Sequence, residues 1–227
     1  ERVAELRAQG LLAGAGIGAF VEPSGGGWDS AEVRMSPTGA VTVSLGVSPH
    51  GQGTDISIGQ LVADELGVPL ESITVRSGDT DTTPQGIGTF GSRSLTLGGG
   101  AAIFAARKVF DKLRIIAGAM LEVSPDDIEI AEGKAHVVGA PDRSLPLARI
   151  AAAAHGTGKA PGGVDPGLNE SAFYTADGNQ FPYGIHIAIA ASDPDTGNVR
   201  IDRYAGIDDC GNIVNPRMVE SQVHGGL

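Results

Sequence analysis

The chain has 227 residues, 16 Lys and Arg against 27 Asp and Glu, and a formal net charge of −11, which disfavours nucleic acid or anionic lipid as a partner. One cysteine, Cys210, excludes an internal disulfide framework and fits a reducing compartment. No stretch approaches the ~20 apolar residues of a membrane span and no signal peptide opens the chain, so a cytoplasmic protein without a membrane span is expected.

Residues 1–9 read as a helix already under way, with Gly10 as its stop. Strands are expected over 16–22 and within 31–47. In the latter, Glu32, Arg34 and Ser36 alternate with Val33 and Met35, and Thr42 and Ser44 with Val41, Val43 and Leu45, around a Pro37-Thr38-Gly39 turn. A helix follows from Thr54, its cap, to Leu66, with Ile58, Leu61, Val62 and Leu66 on one face and Gly67 ending it. Residues 72–77 read as a strand. The longest helix starts at Ser92 or Ser94 and runs to about Glu122, with Leu97, Ala101, Phe104, Ala105, Val109, Leu113, Ile116 and Met120 at helical spacing. Gly98-Gly99-Gly100 in its first turns costs roughly 1 kcal/mol per glycine against alanine, a cost that implies close approach by another backbone or a ligand.

Residues 127–130 and 134–138 form a hairpin around Glu132-Gly133, and an alanine-rich helix fits 145–155. The Gly- and Pro-rich stretch 156–167 is a linker or a long surface loop. Strands at 184–191 and 199–206 are joined by a turn at 193–197, Asn215-Pro216 reads as a turn, and the chain halts at a glycine turn after Gln222-Val223-His224. The fold class is α+β, mixed sheets with packed helices. Three parts are expected: 1–15 as the end of a preceding helix, 16–160 as a first α+β part, and 161–227 as a second, strand-rich part, truncated like a fragment.

Two glycine-rich turns, His50-Gly51-Gln52-Gly53-Thr54 and Gly88-Thr89-Phe90-Gly91-Ser92-Arg93-Ser94, run straight into helical patterns. A helix N-terminus carries unpaired N–H groups and partial positive charge, and glycine lets a ligand approach them. The candidate anion-binding residues are therefore Gly51, Gln52, Gly53 and Thr54, and Gly91, Ser92, Arg93 and Ser94. The Gln52 amide can both donate and accept, and two hydroxyls with a guanidinium suit a pyrophosphate. The plain alternatives are a tight turn at 51–53, and a serine N-cap beside a solvated Arg93. Neither a GxxxxGK[ST] loop nor a full GxGxxG is present.

The acidic turn 78–84 does not fit a calcium loop, whose sixth and twelfth positions would fall on Pro84 and Phe90; its carboxylates are expected to bond their own backbone. The five histidines lack metal-ligand spacing, and no GxSxG elbow supports a nucleophilic triad. His186 reads as a packed or surface strand residue, and Cys210 as a small buried residue rather than a reactive thiol.

In order, GQG at 51–53, QLVADELGVP at 60–69, GDTDTTP at 78–84, GTFGSRS at 88–94, AARK at 105–108, DPDTG at 193–197, DDCGNIVNP at 208–216 and QVHGGL at 222–227 resemble the large, molybdenum-binding subunit of the xanthine oxidase family. The similarity leans toward carbon monoxide dehydrogenase and aldehyde dehydrogenase large chains. The resemblance implies a molybdopterin cofactor with molybdenum, in bacterial members usually the cytosine dinucleotide form, held by the GQG and GSRS turns, with Gln222 as an addition.

It further implies oxidation of an aldehyde, heterocycle or carbon monoxide with water as oxygen source, a glutamate base, and iron–sulfur and flavin partner subunits. The GGGFG-type loop, the substrate-discriminating loop and the GxGE segment are not in the chain, so no catalytic residue is assigned and the glutamate base is expected beyond Leu227. Glu170 and Glu220 are not in that motif. The chain alone is expected to be inactive. Two other readings stay open: a non-catalytic binding or assembly module of the same fold, and a nucleotide-binding enzyme using the same helix starts.

Overall fold

The computed structural model describes residues 1–83 and 85–227; Pro84, the last residue of the acidic turn, lies outside the described residues. In chain order the first elements are α1 (Arg2–Ala8), β1 (Leu12–Val21), β2 (Trp28–Met35), β3 (Val41–Leu45), α2 (Thr54–Leu66) and β4 (Ile73–Ser77). Then come α3 (Gly99–Leu121), β5 (Ile128–Ala131), β6 (Lys134–Val137), β7 (Ala140–Pro146) and α4 (Leu147–Ala154). The last are β8 (Leu168–Thr175), β9 (Tyr183–Ser192), β10 (Val199–Asp209) and α5 (Pro216–Gly226). They sort into two units, Glu1–Ser24 with Asn179–Ile213, and Gly25–Gly178 with Val214–Leu227.

In the first unit, β9 is the middle strand of an antiparallel sheet ordered β1-β9-β10. The register slips between Ile201 and Arg203, so Asp202 is the extra residue of a bulge in β10. A bulge re-aims its side chain, and here it turns Asp202 onto α1. Arg2 donates from Nε and Nη2 to the two Asp202 carboxylate oxygens at 2.7 and 2.6 Å. Those hydrogen bonds hold the Asp202 carboxyl below the usual carboxylate range. α1 stops at Gly10, whose φ of +85° suits only glycine without strain.

The second unit is built on a four-stranded sheet ordered β4-β3-β2-β8. β2 pairs antiparallel with β3 and β8, and β3 pairs parallel with β4 through the crossover α2. Alternation in β2 and β3 turns Val33, Met35, Val41 and Val43 inward, against Ile58, Val62 and Leu66 of α2 and Leu113 and Ile116 of α3. A second, small sheet ordered β5-β6-β7 and helix α4 join the same core through Ile128, Ala135 and Ile150. The Glu132-Gly133 turn has φ of +51° and +72°, as a tight hairpin needs. The stretch 156–167 connects α4 to β8 inside this unit.

Several expectations need correction. The helix expected over 145–155 is α4 only from Leu147, because 145 and 146 finish β7, where Leu145 pairs with Ala135. Strand β8 was not expected: its inward residues, Leu168 and Ala172, are four apart, so period two hardly registers. Asn215-Pro216 is not a plain turn, and the chain does not end in one. Asn215 accepts from the Met218 N–H at 3.2 Å and caps α5, with Pro216 in the first turn. Cys210 is exposed rather than buried.

Candidate functional site

The α2 start is shaped by two left-handed glycines, Gly51 at φ +94° and Gly53 at φ +74°. Gly53, not Thr54, is the N-cap, and no side chain caps the helix; Thr54 is the first helical residue and is buried. Gln52 folds back so that its Oε1 accepts from the His50 N–H, and no hydrogen bond uses its amide NH2 among the described residues. Among the described residues, no hydrogen bond uses the backbone N–H of Gly51, Gln52, Gly53 or Thr54.

The second start is not a simple helix N-terminus. Gly91 and Ser92 are successive left-handed residues at φ +52° and +54°, and Ser94–Gly98 is a π-helical turn that leads into α3. Single π-turns recur at functional sites because they re-aim backbone groups. Ser94 is no cap: its hydroxyl donates to the Thr89 hydroxyl at 2.9 Å, and Thr89 Oγ1 also accepts from the Ser48 N–H at 2.9 Å. That chain of contacts ties the second start to the strand end that leads into the first. Neither Gly91, Ser92 nor Ser94 uses its backbone N–H within the described residues. Gly91 and Ser92 are exposed.

The triple glycine is explained by packing rather than by a ligand. A Cβ on Gly98 would meet Val47 at 2.8 Å, one on Gly99 would meet Leu61 at 3.2 Å, and one on Gly100 would fall on the Tyr174 ring. The first turns of α3 thereby lie directly on α2 and β8, which brings the two starts side by side.

Arg93 is placed differently from either sequence-based alternative. Its side chain is 1% exposed, and Nη1 donates to Asp29 Oδ2 at 2.7 Å, with Asp29 0% exposed. Nη1 also donates to the Gly88 carbonyl, Nη2 to the Trp28 carbonyl, and Nε to the Gly26 carbonyl at 3.3 Å. The guanidinium thus faces the protein, neither solvated nor open to a ligand. Asp29 was missed in the sequence; it follows Gly25-Gly26-Gly27-Trp28 and lies 64 residues from its partner.

α5 docks on the first start. A Cβ on Gly53 would strike Met218, and Asn215 Nδ2 donates to Gln60 Oε1 of α2 at 2.7 Å. Gln222 is exposed on the same helix, beyond that contact. Beside the second start opens a cavity of about 530 Å³ lined by Trp28, Gly46, Ser48, Asp79, Gln85 and Ile87 among others. Thr83, also in its wall, has a buried hydroxyl without a hydrogen-bond partner among the described residues. Asp79 Oδ1 accepts from the Asp81 N–H at 3.0 Å, so the acidic turn bonds its own backbone as expected.

Among the described residues no group of three or more His, Cys, Asp and Glu side chains could hold a metal ion, and no helix is long and apolar enough to cross a membrane. His186, in the first unit, lies in a relay: its Nε2 meets Asp208 Oδ1 at 2.9 Å and its Nδ1 meets the Tyr204 hydroxyl at 2.7 Å. What the two starts offer is a set of unpaired backbone amides, a half-buried glutamine amide and the hydroxyl of the exposed Ser92. Such a donor set suits phosphates and polar heterocycles better than a bare cation.

Comparison with known proteins agrees with that donor set. A family model described as the molybdopterin cofactor-binding domain matches residues 1–227. The chain is 37% identical to the carbon monoxide dehydrogenase large chain of Afipia carboxidovorans, over 95% of this chain and 28% of that one. It is 37% identical to the nicotine 6-hydroxylase large subunit of Paenarthrobacter nicotinovorans, over 98% of this chain and 29% of the relative. The solved quinoline 2-oxidoreductase of Pseudomonas putida 86 superposes with a TM-score of 0.90 at 35% identity, covering 99% of this chain and 30% of that one. The chain therefore spans under a third of the length of these relatives.

Proposed function

This chain belongs to the molybdopterin cofactor-binding domain family, and on that premise we propose that it holds the phosphate-bearing part of a molybdenum–molybdopterin cofactor, in the cytosine dinucleotide form. The observation that carries the proposal is the pairing of the two helix starts. Gly51–Thr54 and Gly91–Ser94, joined through Ser48, Thr89 and Ser94, leave the amides of the exposed Gly51, Gly91 and Ser92 unpaired in one unit.

In a chain of net charge −11 an anionic ligand needs such local donors. Gly51 and Gly91 have open space where a Cβ would stand, so a ligand can reach the amides without displacing a side chain. Gln52 and Ser92 add a side-chain amide and a hydroxyl, Gln222 a further amide from α5, and Arg93 holds the second turn from behind.

The bound cofactor supplies two-electron oxidation of a carbon centre with water as the oxygen source. The chain's own residues bind and orient it. We assign no base to this chain; Glu170 is paired with Lys112 at 2.5 Å, and Glu220 is an exposed residue of α5. The full-length protein is a cytoplasmic oxidoreductase whose substrate is carbon monoxide, an aldehyde or a nitrogen heterocycle. The relatives named for carbon monoxide, nicotine and quinoline support the carbon monoxide and nitrogen-heterocycle parts of that range. Its electrons leave through iron–sulfur and flavin subunits.

The test is elemental analysis and cofactor extraction on the full-length protein, purified with its accompanying subunits from cells that make the cofactor. Molybdenum near one per chain with a released cytosine nucleotide is expected, and Gln52→Ala and Ser92→Ala should lower molybdenum occupancy with the fold intact. Full loading in both variants would sink the assignment of these turns, and absence of molybdenum and pterin from the unmodified protein would favour a non-catalytic module.

A further inference from the structure

We propose that Asp29 and Arg93 are a pair of positioning residues: their buried ion pair presets the turn 88–94, so that the unpaired amides of the exposed Gly91 and Ser92 are held in place before any cofactor arrives. The proposal rests on the cofactor reading above and adds a residue, Asp29, that touches no ligand.

Burial decides the role. With 0% and 1% of their side chains exposed, neither Asp29 nor Arg93 can contact a bound molecule directly. The guanidinium instead gathers separate stretches of chain. It bonds the carbonyl of Gly26 before β2, the Trp28 carbonyl and the Asp29 carboxylate at the start of β2, and the carbonyl of Gly88 at the head of the turn. The ring of Phe90 lies over it, 5.3 Å from Cζ to centroid. Asp29 is fixed in turn, because its Oδ1 accepts from the Ser30 N–H at 2.9 Å, while the Ser30 hydroxyl donates to the Gln85 carbonyl. Room for the carboxylate is kept by Gly46, where a Cβ would collide with Asp29 Oδ1 and with Gly86.

The turn needs this support. Two successive left-handed residues, one of them a serine, are unfavourable for a free chain and persist only where the surroundings over-determine them. Removing the guanidinium would release Gly88 and leave a buried carboxylate uncompensated. A lysine keeps the charge but cannot fork to four acceptors on separate segments. Amides already aimed cost less to order on binding than amides that must be gathered.

The experiment uses the full-length protein with its subunits in four forms: unmodified, Arg93→Lys, Asp29→Asn, and Leu113→Ala. The last is a truncation of a fully buried α3 residue and serves as a control for general destabilisation. Molybdenum retained after dilution and desalting reports cofactor release, amide hydrogen exchange at residue 93, whose N–H donates to the Phe90 carbonyl at 3.3 Å, reports the turn in cofactor-free protein, and thermal melting reports the fold. Arg93→Lys and Asp29→Asn should release molybdenum about 10–100-fold faster, as loss of a supporting shell residue does, and should exchange faster at residue 93 but not in α4 or β8. Leu113→Ala should lower the melting temperature without either local effect.

Release at the unmodified rate in both site variants, or equal acceleration in Leu113→Ala, overturns the proposal. If Arg93→Lys does not fold, the near-isosteric Asp29→Asn carries the test. If the unmodified protein holds no cofactor, the reading of the site fails instead, and exchange at residue 93 still decides whether the pair orders the turn.

Discussion

Gly53 concentrates in one residue what a helix start needs when it is to receive a ligand. Its φ of +74° is costly for any residue with a Cβ, and the space where that Cβ would stand is taken by Met218 of α5. Gly53→Ala should therefore cost about 1–2 kcal/mol of stability from the left-handed backbone alone, plus whatever Met218 must yield. The two parts separate by thermal melting of the double variants. Gly53→Ala with Met218→Ala removes the collision and keeps the backbone cost, whereas Gly53→Asn with Met218→Ala should be milder, since asparagine tolerates that region. Equal losses in the two doubles would refute the conformational explanation. At this scale the sequence was partly readable. Gly51, Gly53 and Gly91 stand out because few other residues reach such dihedrals, but the ion pair of Arg93 does not, because nothing local marks Asp29 as its partner.

Among the elements, α2 and α3 were legible from apolar spacing, and their ends from Gly67 and the residue after Leu121. The opening of α3 was not legible. A π-turn leaves the same spacing of Leu97 and Ala101 that an ordinary helix would, so the pattern of apolar residues does not reveal it. β8 was hidden by Glu170 and Ser171 between its two inward residues; Lys112 of α3 neutralises that glutamate. α5 was hidden by its closing glycines, although its cap was in plain sight. Asn215 serves two purposes there, accepting from Met218 and donating to Gln60. Asn215→Ala should cost about 1 kcal/mol as a lost cap, seen as faster amide exchange in the first turn of α5. Asn215→Asp should restore the cap while losing the donation to Gln60. Unchanged exchange in Asn215→Ala would show that Pro216 alone sets this helix.

On the scale of the whole molecule, the first unit leaves a broad apolar face open. Ile17 is 75% and Ile207 81% exposed, and Ile185 and Ile187 stand between them in the register of the sheet. A hollow of about 270 Å³ lies among Tyr183, Ile185, Ile187, Ala205 and Ile207. Contiguous apolar surface of this kind marks an interaction site or an association hazard. Produced on its own, the 227-residue chain should self-associate as its concentration rises, and Ile185→Lys with Ile207→Lys should suppress this in sedimentation velocity. A monomer at every concentration, with no binding of a hydrophobic dye, would be the contrary result.

β1 carries a different consequence. Its sequence alternates alanine and glycine from Ala13 to Gly16, with Gly18 continuing the row, so a shift of two residues against β9 exchanges near-identical rungs. Little in the middle of the strand tells one setting from the next. What fixes it lies at the ends: Arg7 donates from Nε to the Ala13 carbonyl at 2.8 Å, Phe20 leans on His186 at 6.0 Å between ring centroids, and Arg2 grips the bulged Asp202. The short first helix therefore works as an index mark, and without it the strand would have more than one place to stop along its neighbour.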